Sequence, residues 1–356
     1  MKHGLRLRFW LATVAVIALL SLSLPAYAAS PVIPPAIKQI IGLYEGDGDR
    51  FLLRENDGRV ELLYARGDKS EAAFSVYVVY PLQAGGGGEY RLDAVSPLGK
   101  ASGTVSIERD TAGFATVCRV GATAYNRRFF DPEIGITYRL EAQYSPDELR
   151  QRAAAATPPR GQSAIAAPEL VNVSSLDATI QLDIRYATDN NFIGAPLYDR
   201  PRAFLRRPAA EALVRVHKKL ALHGYGLIIH DAYRPWAVTK MFWDATPESQ
   251  KHFVADPAKG SCHNRGGAVD VALYELATGQ PVEMISGYDE FSLRAHSAYP
   301  GGTAHQRRLR DALRIYMESE GFGMYEEEWW HFDYKDWRKY PIMNSSFAEL
   351  DAAGSQ

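Results

Sequence analysis

The chain has 356 residues, of which 46% are hydrophobic, 11% aromatic and 23% charged, the composition of a globular protein rather than a disordered or fibrous one. Its 40 basic and 42 acidic residues leave a net charge of −2, so no basic field is present to hold nucleic acid. Two cysteines exclude a disulfide framework and a four-cysteine zinc site.

The chain opens on an export signal. Lys2, Arg6 and Arg8 precede an apolar run over 9–20, and Ala26-Tyr27-Ala28 has the small-x-small pattern of a signal-peptidase site. Cleavage after Ala28 (signal peptide 1–28) predicts an exported protein, periplasmic or secreted. The run is short for a spanning helix and no later stretch reaches that length, so no stable membrane span is expected after cleavage.

Residues 37–144 read as a small all-β domain. Asn56-Asp57-Gly58 lies between two apolar runs, a hairpin signal because glycine accepts the positive φ of a primed turn. Further strands are predicted over 72–80, 90–95, 103–109, 116–120 and 136–143, a spacing that suits a small barrel or sandwich. The region contains no histidine, so a structural or binding role is expected. Residues 145–168, with four alanines at 153–156, Pro158-Pro159, Gly161 and Pro168, predict a short helix and an Ala/Pro-rich linker.

From 169 to 343 helices and strands alternate, an α+β domain followed by a tail over 344–356. A helix over 208–222 carries Ala212, Leu213, Val216 and Leu220 at helical spacing and closes at Gly224. A strand over 226–230 follows, and Pro235 restarts a helix. Strands over 268–274 and 329–334 flank an amphipathic helix over 306–320.

Beyond His3, every histidine lies between 217 and 331, and two stand out through their neighbours. Ser261-Cys262-His263-Asn264-Arg265-Gly266-Gly267 places a histidine on a Gly-rich loop, and the apolar strand that follows contains Asp270. A carboxylate in Ala268-Val269-Asp270-Val271-Ala272 is costly to bury unless hydrogen bonds or a cation, such as a metal, compensate it. Glu328-Trp329-Trp330-His331-Phe332 embeds a second histidine and a carboxylate in aromatics. Two imidazoles, one carboxylate and an open position make a catalytic zinc set. Glu328 and His331 are three apart and would face opposite sides of a regular strand, so a shared site requires a bulge or strand end between them.

These segments resemble the zinc D-alanyl-D-alanine dipeptidases, including those of vancomycin resistance, within the wider D-alanyl-D-alanine carboxypeptidase and hedgehog-like metallopeptidase fold. The likeness extends to Asp183-Ile184-Arg185-Tyr186-Ala187-Thr188 with Asn190-Asn191-Phe192, to Asp231-Ala232-Tyr233-Arg234-Pro235 and to Gly287-Tyr288-Asp289-Glu290-Phe291, in family order from about 170 to 340. It implies a small central antiparallel sheet flanked by helices and one Zn²⁺ held by His263, Asp270 and His331. It also implies Glu328 as general acid–base and Arg234 as transition-state stabiliser. Asp289, Tyr186 and Ser261 match positions that line the substrate site, Asp289 facing the substrate ammonium, and Cys262 falls outside the metal set.

The implied reaction is hydrolysis of D-Ala-D-Ala to two D-alanines. Two other readings stay open: a zinc D,D- or L,D-carboxypeptidase or endopeptidase trimming peptidoglycan stems, and a non-catalytic wall-peptide-binding protein. Glu328 argues against the last, since binding needs no proton shuttle. The β domain lies outside the resemblance, where contact with peptidoglycan or the envelope is the expected role. Whether Cys118 and Cys262 pair is open at this level.

Overall fold

The structure is a computed structural model and describes residues 33–46, 48–65, 77–86, 89–92, 103–131, 136–159 and 169–353. The expected export signal, parts of the predicted strands over 72–80 and 90–95, and most of the linker's C-terminal half lie outside the described residues.

After a short helix α1 (Pro35–Lys38), eight strands close an antiparallel barrel: β1 (Gly42–Gly46), β2 (Asp49–Asn56), β3 (Arg59–Ala65), β4 (Tyr77–Ala84), β5 (Tyr90–Leu92), β6 (Gly103–Arg109), β7 (Ala115–Val120) and β8 (Thr123–Arg128). Each pairs with the next, and β8 returns to β1 through Tyr44 opposite Arg127. The period of two sends Tyr44, Phe51, Leu53, Val60 and Leu62 inward, where they form one core with Val105, Cys118 and Tyr125.

The strand expected over 136–143 does not form. Pairing of β8 with β1 leaves the barrel no free edge, and this segment runs across the second domain instead. Leu140 N–H bonds the Phe192 carbonyl and Gln143 N–H the Ala245 carbonyl, each at 3.0 Å. Conversely, β8 carries no clear strand pattern in the sequence, because Asn126, Arg127 and Arg128 mask its alternation.

Helix α2 (Pro146–Ala155) starts with a capping box between Ser145 and Glu148 and buries Leu149 and Ala153. The remaining elements are β9 (Leu170–Asn172), α3 (Val173–Leu176), β10 (Gln181–Leu182), β11 (Phe204–Arg206), α4 (Arg207–Ala221), β12 (Tyr225–Asp231), α5 (Trp236–Ala245), β13 (Ala268–Glu275), α6 (Ala304–Ser319), β14 (Phe322–Tyr325), β15 (Glu328–Tyr334) and α7 (Phe347–Ala353). Five strands form a sheet in the order β10-β12-β13-β15-β14. The expected antiparallel sheet holds from β12 to β14, but β10 runs parallel to β12. The long crossover through α4 makes that parallel pair attainable.

The barrel is fastened to this domain by its outer wall. Leu43, Leu52 and Leu63 point away from the barrel interior, are fully buried, and join the core of the α+β domain. The β2–β3 hairpin tip docks at the start of α6: Glu55 N–H bonds the Gly302 carbonyl at 3.1 Å, and its carboxylate accepts the Ala304 N–H at 2.8 Å. An acid at a helix N-terminus satisfies an orphan donor and the helix dipole. Arg307 reaches back to the Glu55 carbonyl and the Asn56 side chain, both at 3.1 Å. We expect Leu52→Ala to destabilise the protein by about 2–5 kcal/mol, the range for removing a buried leucine from a packed core. A denaturant melt of variant and parent measures it, and a change under about 0.5 kcal/mol would show that this interface is not packed as described.

Candidate metal centre and active site

Three neighbouring strands carry the centre. Asp231 at the end of β12 lies across from Asp270 on β13, which lies across from His331 on β15. Paired residues on adjacent antiparallel strands sit about 5 Å apart, so register alone groups these side chains. His263 arrives from a one-turn 3₁₀ segment, His263–Arg265, closed by Gly266 at φ 68°. A Cβ on Gly266 would fall 2.3 Å from Leu170 Cδ2, and the positive φ independently favours glycine.

The interruption expected between Glu328 and His331 is present. Along β14 the register steps from Met324 opposite Phe332 to Tyr325 opposite Glu328, a bulge in β15. It turns Glu328 to the side of His331, with Oε2 3.9 Å from Nδ1.

The three expected ligands converge on a point. His263 Nε2 lies 3.1 Å from His331 Nδ1 and 3.4 Å from Asp270 Oδ1, and His331 Nδ1 lies 2.9 Å from Asp270 Oδ1. Donors about 2.0–2.1 Å from a tetrahedral zinc stand about 3.3 Å from one another, so this triangle has the right size. The outer contacts of the rings agree. His263 Nδ1 lies 2.7 Å from the Ala232 carbonyl, which only accepts, so that nitrogen carries the proton and Nε2 presents a lone pair. His331 Nε2 faces the Asp333 carboxylate at 3.1 Å, leaving Nδ1 for the centre. Two ring nitrogens and a carboxylate oxygen face one another here, and with both rings neutral this donor set fits a divalent metal.

Cys262 is nearer than the sequence implied. Its Sγ is 3.4 Å from His331 Nε2, on the side of the ring away from Asp270. Cys262 and Cys118 are both free, and Cys118 is buried in the barrel core.

Arg234 leaves β12 just beyond Asp231 and is anchored by it, Nη2 at 2.7 Å and Nε at 2.9 Å from Asp231 Oδ2. Asp231 is fully buried and also accepts the Tyr198 hydroxyl at 2.5 Å. The guanidinium lies over the Phe242 ring, 4.6 Å from its centroid, and 3.9 Å from Asp270 Oδ2. Glu328 is 26% exposed through the cleft mouth. Burial pushes its carboxyl up to about 7, Asp270 adding to that push and the charge of His331 opposing it.

On the far wall Asp289 adopts φ 55°, an unusual conformation for a side-chain-bearing residue. It accepts the Tyr186 hydroxyl at 2.6 Å, and burial holds its carboxyl well above the usual range, with the charges of Asp270 and Glu328 adding to it. Ser261 borders the same cleft, its Oγ accepting the His263 N–H at 3.2 Å. The cleft encloses about 220 Å³ and gathers all eight residues singled out in the sequence, with Phe253, Phe291 and Tyr325 among its walls. A larger cavity of about 660 Å³ between the barrel and the start of α6 contains none of them.

Sequence reasoning missed Asp231, Asp333 and Tyr288. Asp333 had a signal, since two positions along a strand share a face and His331 was already singled out. The other two depend on contacts between distant segments.

A metal-dependent hydrolase is the class that this donor triangle, adjoining acid and buried arginine define. The chain belongs to the D-ala-D-ala dipeptidase family, Peptidase M15, whose pattern matches residues 166–350. It is 32% identical over 188 residues to the D-alanyl-D-alanine dipeptidase of Escherichia coli K12, covering 53% of this chain and 96% of that protein. Enzymes of the same name from Enterococcus faecium and Enterococcus faecalis V583 are 35% and 34% identical over 189 and 190 residues. Those alignments cover 47% and 48% of this chain and 91% and 92% of the relatives. The family match begins after the barrel ends.

Proposed function

We propose that this protein hydrolyses D-Ala-D-Ala to two D-alanines, with one zinc ion held by His263, Asp270 and His331. The observation that carries the reading is the convergence of three lone-pair donors between Glu328, Arg234 and Asp289 in one small cleft. Zinc in that position supplies Lewis acidity toward the peptide carbonyl and acidifies water.

The chain's own groups do the rest. Asp289, steadied by Tyr186, pairs with the substrate ammonium and fixes where the dipeptide begins. Glu328 takes a proton from the attacking water and returns it to the departing amine, a double task that suits a carboxyl poised near neutrality. Arg234, whose orientation is set by Asp231, offers a permanent positive charge to the oxygen that becomes anionic. An acid placed to pair with a free ammonium suits a dipeptide better than a stem peptide, whose penultimate nitrogen is an amide, and favours dipeptidase over carboxypeptidase or endopeptidase activity. The apolar run over 9–20 and the Ala26-Tyr27-Ala28 site support an exported enzyme, and wall peptides are then the natural source of substrate.

Purified protein incubated with D-Ala-D-Ala should release D-alanine, lose the activity under a chelator and regain it with added zinc. Release from a pentapeptide stem but not from the dipeptide would overturn the proposal in favour of a carboxypeptidase.

A further inference from the structure

Tyr288 has no role in the scheme above, yet its hydroxyl joins the two ends of the site. It lies 2.8 Å from Asp270 Oδ2, the oxygen turned away from the donor triangle, and 3.1 Å from the Tyr186 hydroxyl. Tyr186 in turn donates to Asp289 at 2.6 Å. An unbroken row of polar groups thus runs Asp270–Tyr288–Tyr186–Asp289. The Tyr288 ring cannot wander: His230 stacks on it with centroids 4.7 Å apart, and Trp330 meets it edge-on at 5.5 Å.

We propose that Tyr288 is a positioning residue shared by the metal ligand Asp270 and the amine-binding acid Asp289, so that the two carboxylates are oriented as one unit. The argument is a count of protons. With both carboxylates ionised, as Asp289 is when it pairs with an ammonium, the row's three oxygen–oxygen contacts share only the two protons of its hydroxyls. When Asp289 engages the Tyr186 proton, the Tyr186 oxygen turns a lone pair toward Tyr288 and competes with Asp270 for the proton of Tyr288. A change at Asp289 is therefore felt at Asp270. In the other direction, donation to Oδ2 keeps Oδ1 aimed at the donor triangle, the kind of outer contact that tunes a metal ligand.

This inference rests on the ligand and amine-site assignments above, and its test separates the two. Tyr288→Phe keeps the ring between His230 and Trp330 and removes only the hydroxyl. Competition with a chromophoric chelator should show zinc held about 10- to 100-fold more weakly by the variant, the usual cost of losing an outer-shell partner. Adding Asp289→Asn completes a double-mutant cycle on zinc affinity. The effect of Asp289→Asn should differ at least about threefold between the Tyr288 and Tyr288→Phe backgrounds, because groups in one hydrogen-bonded row are non-additive. At saturating zinc, Tyr288→Phe should raise KM for D-Ala-D-Ala more than it lowers kcat. Its inhibition by N-propionyl-D-alanine, which lacks the amine, should stay near parental. Zinc affinity unchanged within twofold, or an additive cycle, overturns the proposal. If zinc-loaded wild type releases no D-alanine from the dipeptide, the functional reading falls, and the zinc cycle still decides the role of Tyr288.

Discussion

Glu328→Ala is expected to retain zinc and lose at least about 10³-fold in kcat on D-Ala-D-Ala, within the range for removing a positioned acid–base group. The geometry separates the two properties. Glu328 stands outside the donor triangle, its Oε2 3.9 Å from His331 Nδ1, while the edges of the triangle run from 2.9 to 3.4 Å. Its removal leaves both imidazoles, Asp270 and their outer partners in place. Metal analysis of the purified variant beside a D-alanine release assay measures both quantities. A zinc-replete variant turning over at near-parental rate would strip Glu328 of the proton-shuttle role.

Arg234→Lys is expected to lower kcat/KM by about 10²–10³-fold, comparable to the loss of one oxyanion donor. The guanidinium binds Asp231 through two nitrogens, Nε and Nη2, while its flat face lies over Phe242. The side chain lines the cleft while held in this way. A lysine has one ammonium, which either pairs with the buried Asp231 or faces the substrate. Zinc content should not change, since Arg234 offers the metal nothing. Activity within about threefold of the parent would assign transition-state stabilisation elsewhere.

The parts of this site legible in the sequence are those encoded by short-range pattern. Asp270 announced itself as a charge inside an apolar strand, and Glu328 and His331 as polar residues in an aromatic run. The bulge was required by their spacing before it was seen. The contacts of Asp231 and Tyr288 were hidden because nothing local distinguishes them: Asp231 reads as a strand end and Tyr288 as one more aromatic. The barrel's outer contact was hidden for a related reason. In Phe51-Leu52-Leu53 both faces are apolar, and a continuous apolar run does not say which neighbour covers the second face. The false strand over 136–143 shows the converse, a passable strand pattern in a segment with no edge to join.

The barrel's packing also limits what the N-terminal half can carry. Small eight-stranded barrels either enclose a ligand or fill with their own side chains. Here Tyr44 stacks on Phe51 at 5.4 Å and Phe51 meets Tyr125 at 4.9 Å, with leucines and valines closing the remaining space among the described residues. Among the described residues the barrel shows no hollow for cargo. Any recognition by this half of the molecule would fall to its exterior and away from β1–β4, whose outer wall packs on the hydrolase core through Leu43, Leu52, Leu63, Tyr77 and Val79.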